Sequence, residues 1–203
     1  MVNYNIISNT CIGSYITTKC LMLPLQNPFS WSVIDSDSIL ALLEHFYDID
    51  FSNIRVNQVS DFYKITIDNV VSVNYIHYHY SKTATNLVQH GPDLFFNQMA
   101  DYVTAKYFER LKRMALNNSK PIFVLGFANG KANSKWYWTE NDVNKVLNAT
   151  SNYNIIASFE YNVNHMSNNN IEYIPQHQTF IDNGLEFSKY IFDTSTFFSK
   201  EDI

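Results

Sequence analysis

The stretch from Asn5 to Ser14 constrains the fold most, because an apolar run ends there in polar residues and a cysteine, just before an apparent helix. We predict a strand over about Tyr4 to Ser8 and a helix over roughly Gly13 to Leu23. This order places Cys11 at the amino end of the helix, where unpaired N–H groups and the helix dipole favour a thiolate and can hold an oxyanion. Cys11 is therefore a candidate nucleophile. The alternative is a small buried residue, as most free cysteines are.

Length and composition predict one packed domain over residues 1–203, with a less regular C-terminal portion over 162–203. The chain is 46% hydrophobic and 16% charged, which is typical of a globular protein and not of a disordered one. Its 14 basic residues against 19 acidic residues give a net charge of −5. That balance predicts no general attraction to nucleic acid.

The start of the chain has no charged region before its apolar stretch, and no apolar run approaches the roughly 20 residues of a membrane span. We therefore expect neither a signal peptide nor a transmembrane helix, and a cytoplasmic location. Cys11 and Cys20 stand about 13 Å apart if both lie along one helix, which is beyond disulfide reach. Two reduced thiols fit a reducing compartment. The sequence has no CxxC or HExxH motif, so we expect no metal site.

Hydrophobic periodicity predicts alternating helices and strands along the rest of the chain. The predicted strands cover Asp61 to Asp68 and Val70 to Tyr80, joined as a hairpin at Asp68-Asn69, then Pro121 to Phe127, Asn154 to Tyr161 and Ile171 to Ile174. The predicted helices cover Ser36 or Asp37 to Tyr47, Pro92 to Asn117, and Thr139 to Ala149 with a Thr139/Asp142 capping box. We therefore expect an α/β or α+β fold with a central mixed sheet flanked by helices.

Two histidines on the second strand of the hairpin are the candidate bases for a cysteine nucleophile. His77 and His79 share one face of that strand by the two-residue period. We take His79 as the base, because the chain there enters a loop, and His77 as the reserve. A third group must fix the imidazole. Asn129, just beyond the strand that ends at Phe127, is our candidate, with Asp142 and Asn154 as alternatives that spacing does not separate.

A basic stripe and an aromatic group are further candidate binding features. Lys106, Arg110 and Arg113 follow one face of the long helix at spacings of four and three, and arginine forks recognise phosphate well. They are our candidate ligands for the phosphates of a nucleotide-bearing cofactor, and the alternative is a solvated helix face. The run from Trp136 to Trp138 either stacks on a sugar or anchors its loop to the core.

The order of several motifs resembles a group of bacterial proteins. The motifs are Ile6 to Gly13, Leu23-Pro24 with Pro28 to Trp31, Tyr75 to Tyr80, and Tyr107 to Arg113 followed by the strand after Pro121. The group is described as papain-like cysteine peptidases or exopolysaccharide-biosynthesis proteins, often encoded near capsule genes. A similar group contains capsule acetyltransferases that bind coenzyme A. In the resemblance the SNxC cysteine corresponds to Cys11 and the HY histidine to His79.

The resemblance implies a papain-like Cys/His arrangement and an acyltransferase. Such an enzyme would use acetyl-CoA as co-substrate, with no permanently bound cofactor, and would acetylate a sugar hydroxyl of a surface polysaccharide or of its nucleotide-sugar precursor. Two alternatives stay open: a cysteine peptidase or amidase, and a non-catalytic carbohydrate-binding protein that uses Trp136 and Trp138. This chain departs from the pattern in having Ile12 where an aromatic residue is common, and in its Asn-rich C-terminal third.

Overall fold

A four-stranded parallel sheet forms one half of the protein. The computed structural model describes residues 4–22, 27–59, 62–75, 96–117, 119–126, 138–149, 152–159, 170–174 and 184–198. The parallel strands are β1 (Asn5–Ser8), β6 (Pro121–Gly126), β7 (Asn154–Ser158) and β8 (Ile171–Tyr173), in the order β1-β6-β7-β8. The continuous apolar character of β1, β6 and β7 follows from this position, because both faces of a parallel sheet are covered.

A four-stranded antiparallel sheet forms the other half, and it lies in the chain between β1 and β6. Its strands are β2 (Val33–Ile34), β3 (Ile54–Val59), β4 (Phe62–Ile67) and β5 (Val71–Tyr75), in the order β2-β5-β4-β3. The β4–β5 connection covers Asp68, Asn69 and Val70, between the paired residues Ile67 and Val71, and its two central turn residues have positive φ, 51° at Asp68 and 59° at Asn69, as in a type I′ turn. Asp and Asn tolerate this conformation better than other side chains, so the predicted hairpin is confirmed.

Helices cover both faces of the parallel sheet. They are α1 (Ile12–Tyr15) with the following π turn (Ile16–Cys20), α2 (Ser36–His45), α3 (Phe96–Leu116), α4 (Glu140–Leu147) and α5 (Gly184–Thr194). One face of the sheet packs on α1, the π turn and α5 through an apolar cluster that includes Ile6, Val124 and Ile191. The opposite face contributes Ile7 and Phe123 to a larger core shared with the antiparallel sheet, α2, α3 and α4.

The predicted mixture of helices and strands is confirmed, but one central mixed sheet is not what forms. The strands from β2 to β5 pair with one another in antiparallel fashion, and within the described residues none of them pairs with the parallel strands. The two strands of a hairpin lie close in sequence and pair through a short turn, whereas β1 and β6 are joined by a long crossover. The two sheets therefore meet through side chains in the shared core and through a backbone hydrogen bond from the Ile34 N–H to the Asn9 carbonyl at 3.1 Å, without a common ladder among the described residues.

The helix boundaries that fall on described residues agree with the predictions to within a few residues, with two differences, and the predicted start of the long helix at Pro92 lies outside the described residues. The Thr139/Asp142 capping box is present at the start of α4. The N-cap of α2 is Asp35 and not Ser36 or Asp37: its carboxylate accepts a hydrogen bond from the Ser38 N–H at 2.8 Å. The first helix is α-helical only to Tyr15 and then continues as a π turn.

Candidate functional site

The turn between β1 and α1 is built from short polar side chains. Ser8 Oγ accepts from the Thr10 N–H, and Thr10 Oγ1 accepts from the Ile12 N–H, each at 3.4 Å. These local bonds end the strand and lead into the helix, as serine and threonine commonly do. Gly13 lets the helix lie directly on β1, because a Cβ there would stand 2.8 Å from Ser8 Cβ and 2.9 Å from Ile6 Cγ2.

Cys11 occupies the N-cap position of α1, as the sequence predicts. The residue is half-buried, and burial raises the pKa of its thiol to about 12. The predicted lowering of the pKa by the helix mouth therefore does not prevail in the resting protein, because desolvation disfavours the thiolate more strongly. At neutral pH Cys11 is a thiol, so its use as a nucleophile requires a base that takes the proton during the reaction.

Cys20, at the end of the π turn, is the second free thiol. Burial is the main cause that raises the pKa of this thiol to about 11, and the nearby Asp193 carboxylate adds to it while Lys189 opposes it. The two thiols share a helical segment and differ in what surrounds them. Cys20 is therefore a natural internal control for Cys11.

The carboxyl ends of three parallel strands lie together at the edge of the sheet from which the chain continues to Cys11. Asn9 directly follows β1, and its Oδ1 accepts from the Gly126 N–H, at the end of β6, at 3.0 Å. Gly126 in turn is paired in register with Ser158, the last residue of β7. A Cβ at position 126 would stand 2.5 Å from the Ser158 carbonyl oxygen, so only glycine allows this close approach.

Two of the side chains at this edge are buried with an unpaired polar atom. Asn9 is 1% exposed and Ser158 is 0% exposed. Among the described residues, the buried side-chain atoms without a hydrogen-bond partner are Asn9 Nδ2, Ser158 Oγ and the hydroxyl of Tyr63. Buried polar groups are satisfied in the great majority of cases, and leaving one unpaired costs about 1–3 kcal/mol. Two of these three atoms lie at the carboxyl edge of the parallel sheet.

A tightly held loop places an aromatic pair next to the same helix. The Trp31 N–H donates to Ser14 Oγ at 2.6 Å, and the Trp31 ring meets the Tyr15 ring edge-on at 5.1 Å between centroids. Trp31 has a φ of 59°, which is rare for a bulky side chain and implies local strain. Such strain persists only where surrounding contacts enforce it, and it is commonest at functional sites. Trp31 therefore packs beside the start of the helix.

The three basic residues predicted along α3 differ in burial: Lys106 and Arg113 are partly exposed, and Arg110 is buried. Lys106 Nζ contacts Glu109 Oε2 at 2.8 Å, and Arg113 pairs with the other oxygen of the same carboxylate. Arg110 is 5% exposed: it donates to the Ser30 carbonyl at 3.0 Å, and its guanidinium lies 5.5 Å from the Tyr75 ring centroid. Arg110 thus supports the loop before Trp31, and binding a phosphate there would require it to leave these contacts.

Several predicted site residues lie outside the described residues or away from Cys11. His77, His79 and Asn129 fall outside the described residues, so their roles stay predictions. Of the alternatives to Asn129, Asp142 caps α4 and Asn154 begins β7 at the opposite end of the sheet.

Trp138 does not provide an exposed sugar-binding face. It is 4% exposed and stacks on Phe159 at 6.0 Å between ring centroids. The interpretation of Trp136 and Trp138 as a joint sugar-binding surface therefore does not hold for Trp138, which anchors its loop to the core. Trp136 falls outside the described residues.

Three cavities lined by described residues lie at the amino end of the parallel sheet. One of them has a volume of about 450 Å³ and is lined by Lys120, Pro121, Asn154 and their neighbours. Two smaller ones, of about 250 and 310 Å³, are bordered by Tyr47. We place the candidate site at the carboxyl end all the same, because the nucleophile and the unpaired donors are there. In open α/β sheets ligands bind beyond the carboxyl ends of the strands.

Asn9 and Ser158 were not predicted as site residues. A signal was present, since a polar residue ends each of two apolar strands, but sequence cannot show which strands are neighbours. Within the described part of the chain, no group of three His, Cys, Asp or Glu side chains could hold a metal ion. The helices in that part include none with the length and apolar character needed to cross a bilayer.

Comparison with known proteins adds no relative to this picture. No protein-family model, no curated protein and no solved structure matches the chain. The resemblance to papain-like and capsule acetyltransferase proteins therefore remains a prediction from the motifs, and the candidate site rests on the geometry of Cys11, Asn9, Gly126 and Ser158.

Proposed function

We propose that the protein is an acyltransferase in which Cys11 carries the acyl group, with acetyl-CoA as the donor and a sugar hydroxyl as the acceptor. The observation that carries the proposal is the position of Cys11. The thiol stands three residues after the end of β1, and the same end of the sheet holds Asn9 Nδ2 and Ser158 Oγ, which are buried and have no hydrogen-bond partner among the described residues. A nucleophile and available hydrogen-bond donors are the two components that acyl transfer requires.

The reaction would proceed through a thioester in two balanced steps. A base, for which His79 is our candidate, takes the Cys11 proton as the sulfur attacks the acetyl carbonyl carbon, and coenzyme A leaves as its thiol with that proton. The acceptor hydroxyl then attacks the thioester, gives its proton to the base, and the Cys11 sulfur leaves and is protonated again. The raised pKa of Cys11 supports the need for the base, because the resting thiol is a weak nucleophile.

The sugar acceptor and the acetyl-CoA co-substrate come from the motif resemblance, and the described residues offer a candidate surface for each. The half-buried Tyr15 and Trp31 offer aromatic surface one helical turn beyond Cys11, which suits a sugar ring. Lys106 and Arg113 remain the candidate ligands for coenzyme A phosphates. Arg110 is the weakest of the three because it is committed to Ser30 and Tyr75.

Incubation with acetyl-CoA followed by intact-mass measurement tests the proposal. We expect the wild-type protein to gain one acetyl group and release coenzyme A, Cys11→Ala to gain none, and Cys20→Ala to behave as the wild type. Absence of an adduct on the wild type, with or without sugar acceptors, would contradict the acetyltransferase. Labelling of Cys11 by an electrophilic peptide, without any reaction with acetyl-CoA, would instead support a peptidase or amidase.

A further inference from the structure

We infer that Asn9 and Ser158 are the donors that bind the carbonyl oxygen of the acyl group during transfer at Cys11. The inference deepens the proposed function and rests on it for the identity of the acyl group. It replaces the sequence-based expectation that backbone N–H groups at the helix start alone would hold the oxyanion. One of those groups, the Ile12 N–H, already donates to Thr10 Oγ1.

The orientation of Asn9 is fixed by the sheet itself. Its Oδ1 accepts from the Gly126 N–H at 3.0 Å, which identifies the oxygen end of the amide because a backbone N–H can only donate. The Nδ2 end must then point away from that bond, and it has no hydrogen-bond partner among the described residues. Asn9 therefore holds two N–H donors in a fixed position, two residues before the nucleophile.

Ser158 lies on the sheet face that α1 covers. Ser8 is in register with Val124, Gly126 lies two residues further along the same strand, and Gly126 is in register with Ser158. Residues two apart in a strand share a face, so Ser8, Gly126 and Ser158 face the same side. That side is the one on which Gly13 packs against Ser8. The Ser158 side chain thus lies at the carboxyl edge of the sheet, on the face that α1, the π turn and α5 cover.

A donor held in place before the reaction is effective because it needs no reorganisation when negative charge develops on the carbonyl oxygen. A buried amide nitrogen and a buried hydroxyl that have no partner among the described residues lower the stability of the resting protein. Binding the substrate oxygen would restore their hydrogen bonds. Gly126 has a separate part in this arrangement, because the absence of a side chain lets β6 and β7 approach and brings Ser158 to the edge.

The competing explanation is that internal water satisfies both groups. Polar cavities of sufficient size hold ordered water, and such water is a structural feature without a catalytic role. In that case substitutions at Asn9 and Ser158 would alter stability without a specific effect on chemistry. The two explanations therefore differ in whether the substitutions change the rate of acyl transfer or only the stability of the protein.

The experiment compares the wild type with Ser158→Ala and Asn9→Asp. Ser158→Ala removes an unpaired hydroxyl and should leave the midpoint of thermal unfolding unchanged or higher. Asn9→Asp keeps an oxygen for the Gly126 N–H and, once ionised, presents an acceptor where the amide presented donors. The matched controls are Ser38→Ala and Asn5→Asp. Ser38 accepts from the Ser72 N–H at 2.9 Å, and Asn5 donates to the carbonyls of Asn117 and Ser119.

Two reactions are measured on each variant: acetyl transfer to Cys11 from acetyl-CoA, and reversible addition of acetaldehyde. In the second reaction the Cys11 sulfur bonds to the aldehyde carbon and the carbonyl oxygen takes up the proton, which gives a thiohemiacetal that resembles the transfer intermediate. We expect each site variant to slow acetyl transfer by roughly 100-fold and to weaken thiohemiacetal formation. Burial at position 9 should raise the pKa of the new carboxyl. The loss for Asn9→Asp should therefore grow as the pH rises through that pKa, because a protonated carboxyl can still donate.

The outcomes separate this inference from the proposed function. Thiohemiacetal formation that the site variants weaken, without acetyl transfer in the wild type, would support the donors and reject acetyl-CoA as the acyl source. Both reactions proceeding at wild-type rates in folded Ser158→Ala and Asn9→Asp would overturn the inference and leave the acyltransferase standing. Control variants that are less stable but fully reactive are expected. Failure of the wild type in both reactions would overturn both proposals.

Discussion

A buried asparagine begins strand β1 and another directly follows it, and their side chains differ in how fully they are hydrogen-bonded. Asn5, at the amino end, is 6% exposed and donates to the carbonyls of Asn117 and Ser119 at 3.1 and 3.2 Å. Asn9, at the carboxyl end, is 1% exposed and uses its oxygen on Gly126 while its Nδ2 has no partner. At the amino end the amide nitrogen of the asparagine is therefore hydrogen-bonded within the protein, whereas at the carboxyl end it has no partner among the described residues.

This difference indicates that the polar groups at the amino end of the sheet stabilise the fold. The amino end satisfies its own polar groups, which include a hydrogen bond from Ser119 Oγ to Asn117 Oδ1 at 2.9 Å. The carboxyl end combines a thiol and the strained backbone of Trp31 with an amide nitrogen and a hydroxyl that have no partner in the described part of the chain. Natural proteins depart from full satisfaction mainly where function requires it. The comparison therefore places the candidate chemistry at the carboxyl end.

Substituting the two asparagines should separate stability from function most clearly. Asn5→Asp removes two N–H donors and sets a carboxylate against two carbonyl oxygens, so we expect a loss of about 3–5 kcal/mol in the free energy of unfolding. Asn9→Asp loses no internal donor bond and should be the milder change. Urea unfolding of both variants gives the comparison. Equal losses would mean that both ends are structural.

Arg110 should behave as a support for the carboxyl end and not as a phosphate ligand. Arg110→Met removes the bond to the Ser30 carbonyl and the contact with Tyr75, and we expect a loss of about 2–3 kcal/mol.

The matched variants are Lys106→Gln and Arg113→Gln, whose ion pairs with Glu109 are partly solvated. They should leave the free energy of unfolding almost unchanged. If they weaken coenzyme A binding and Arg110→Met does not, the surface members of the stripe hold the phosphates. A stable Arg110→Met variant with lost affinity would reverse our assignment of Arg110.

Gly126→Ala tests the close approach of β6 and β7 that brings Ser158 to the edge. The new methyl group would stand 2.5 Å from a backbone oxygen, which cannot rotate away, so we expect a loss of about 1–3 kcal/mol. The strand ends must separate to relieve the contact, so acetyl transfer should fall as well. Chemical denaturation and the transfer assay, measured on the same sample, check both effects. Full stability and full activity would show that the approach is unimportant.

The raised pKa of Cys11 predicts a specific alkaline instability. Its ordinary value is 9.0 and burial raises it to about 12 in the folded protein. Below pH 9 both states hold the proton. Between these two values the unfolded chain loses the proton first, so the free energy of unfolding falls as pH rises.

Cys11→Ala lacks this loss, so the stability of the variant relative to the wild type should increase over that pH range. Unfolding curves of the two proteins, recorded in parallel, measure it. Iodoacetamide labelling of Cys11 should also be slow near neutral pH and accelerate steadily with rising pH. A constant stability difference, or rapid neutral labelling, would mean that the thiol is already activated.

The sequence was sufficient to place Cys11 between a strand and a helix, because apolar runs and turn residues act locally. The β4–β5 hairpin and the α4 capping box could be predicted from the sequence for the same reason. It did not give the pairing of β1 with β6, since that contact depends on a long crossover that no local pattern encodes. Asn9 and Ser158 were missed as a consequence: a polar residue after a strand becomes a site residue only when its neighbours in the sheet are known.

Burial was the other property that the residue pattern could not reveal. Arg110 shares the helical spacing of Lys106 and Arg113, yet it turns inward to Ser30 and Tyr75. The position of Cys11 at the amino end of a helix predicted a lowered pKa for its thiol, but desolvation raises that pKa more strongly. In both cases the local rule is sound, and the tertiary surroundings determine which effect is larger.

Comparing the two thiols within one molecule tests the central claim most directly. Acetyl-CoA is added to the wild-type protein, the reaction is quenched at early times, and peptide mass mapping gives the acetyl occupancy of Cys11 and Cys20. Intrinsic reactivity favours Cys20, whose pKa is raised only to about 11. We predict that Cys11 is acetylated first and nearly alone, because the carboxyl end of the sheet binds the acyl group. Acetylation of Cys20 at an equal or greater rate would contradict the account.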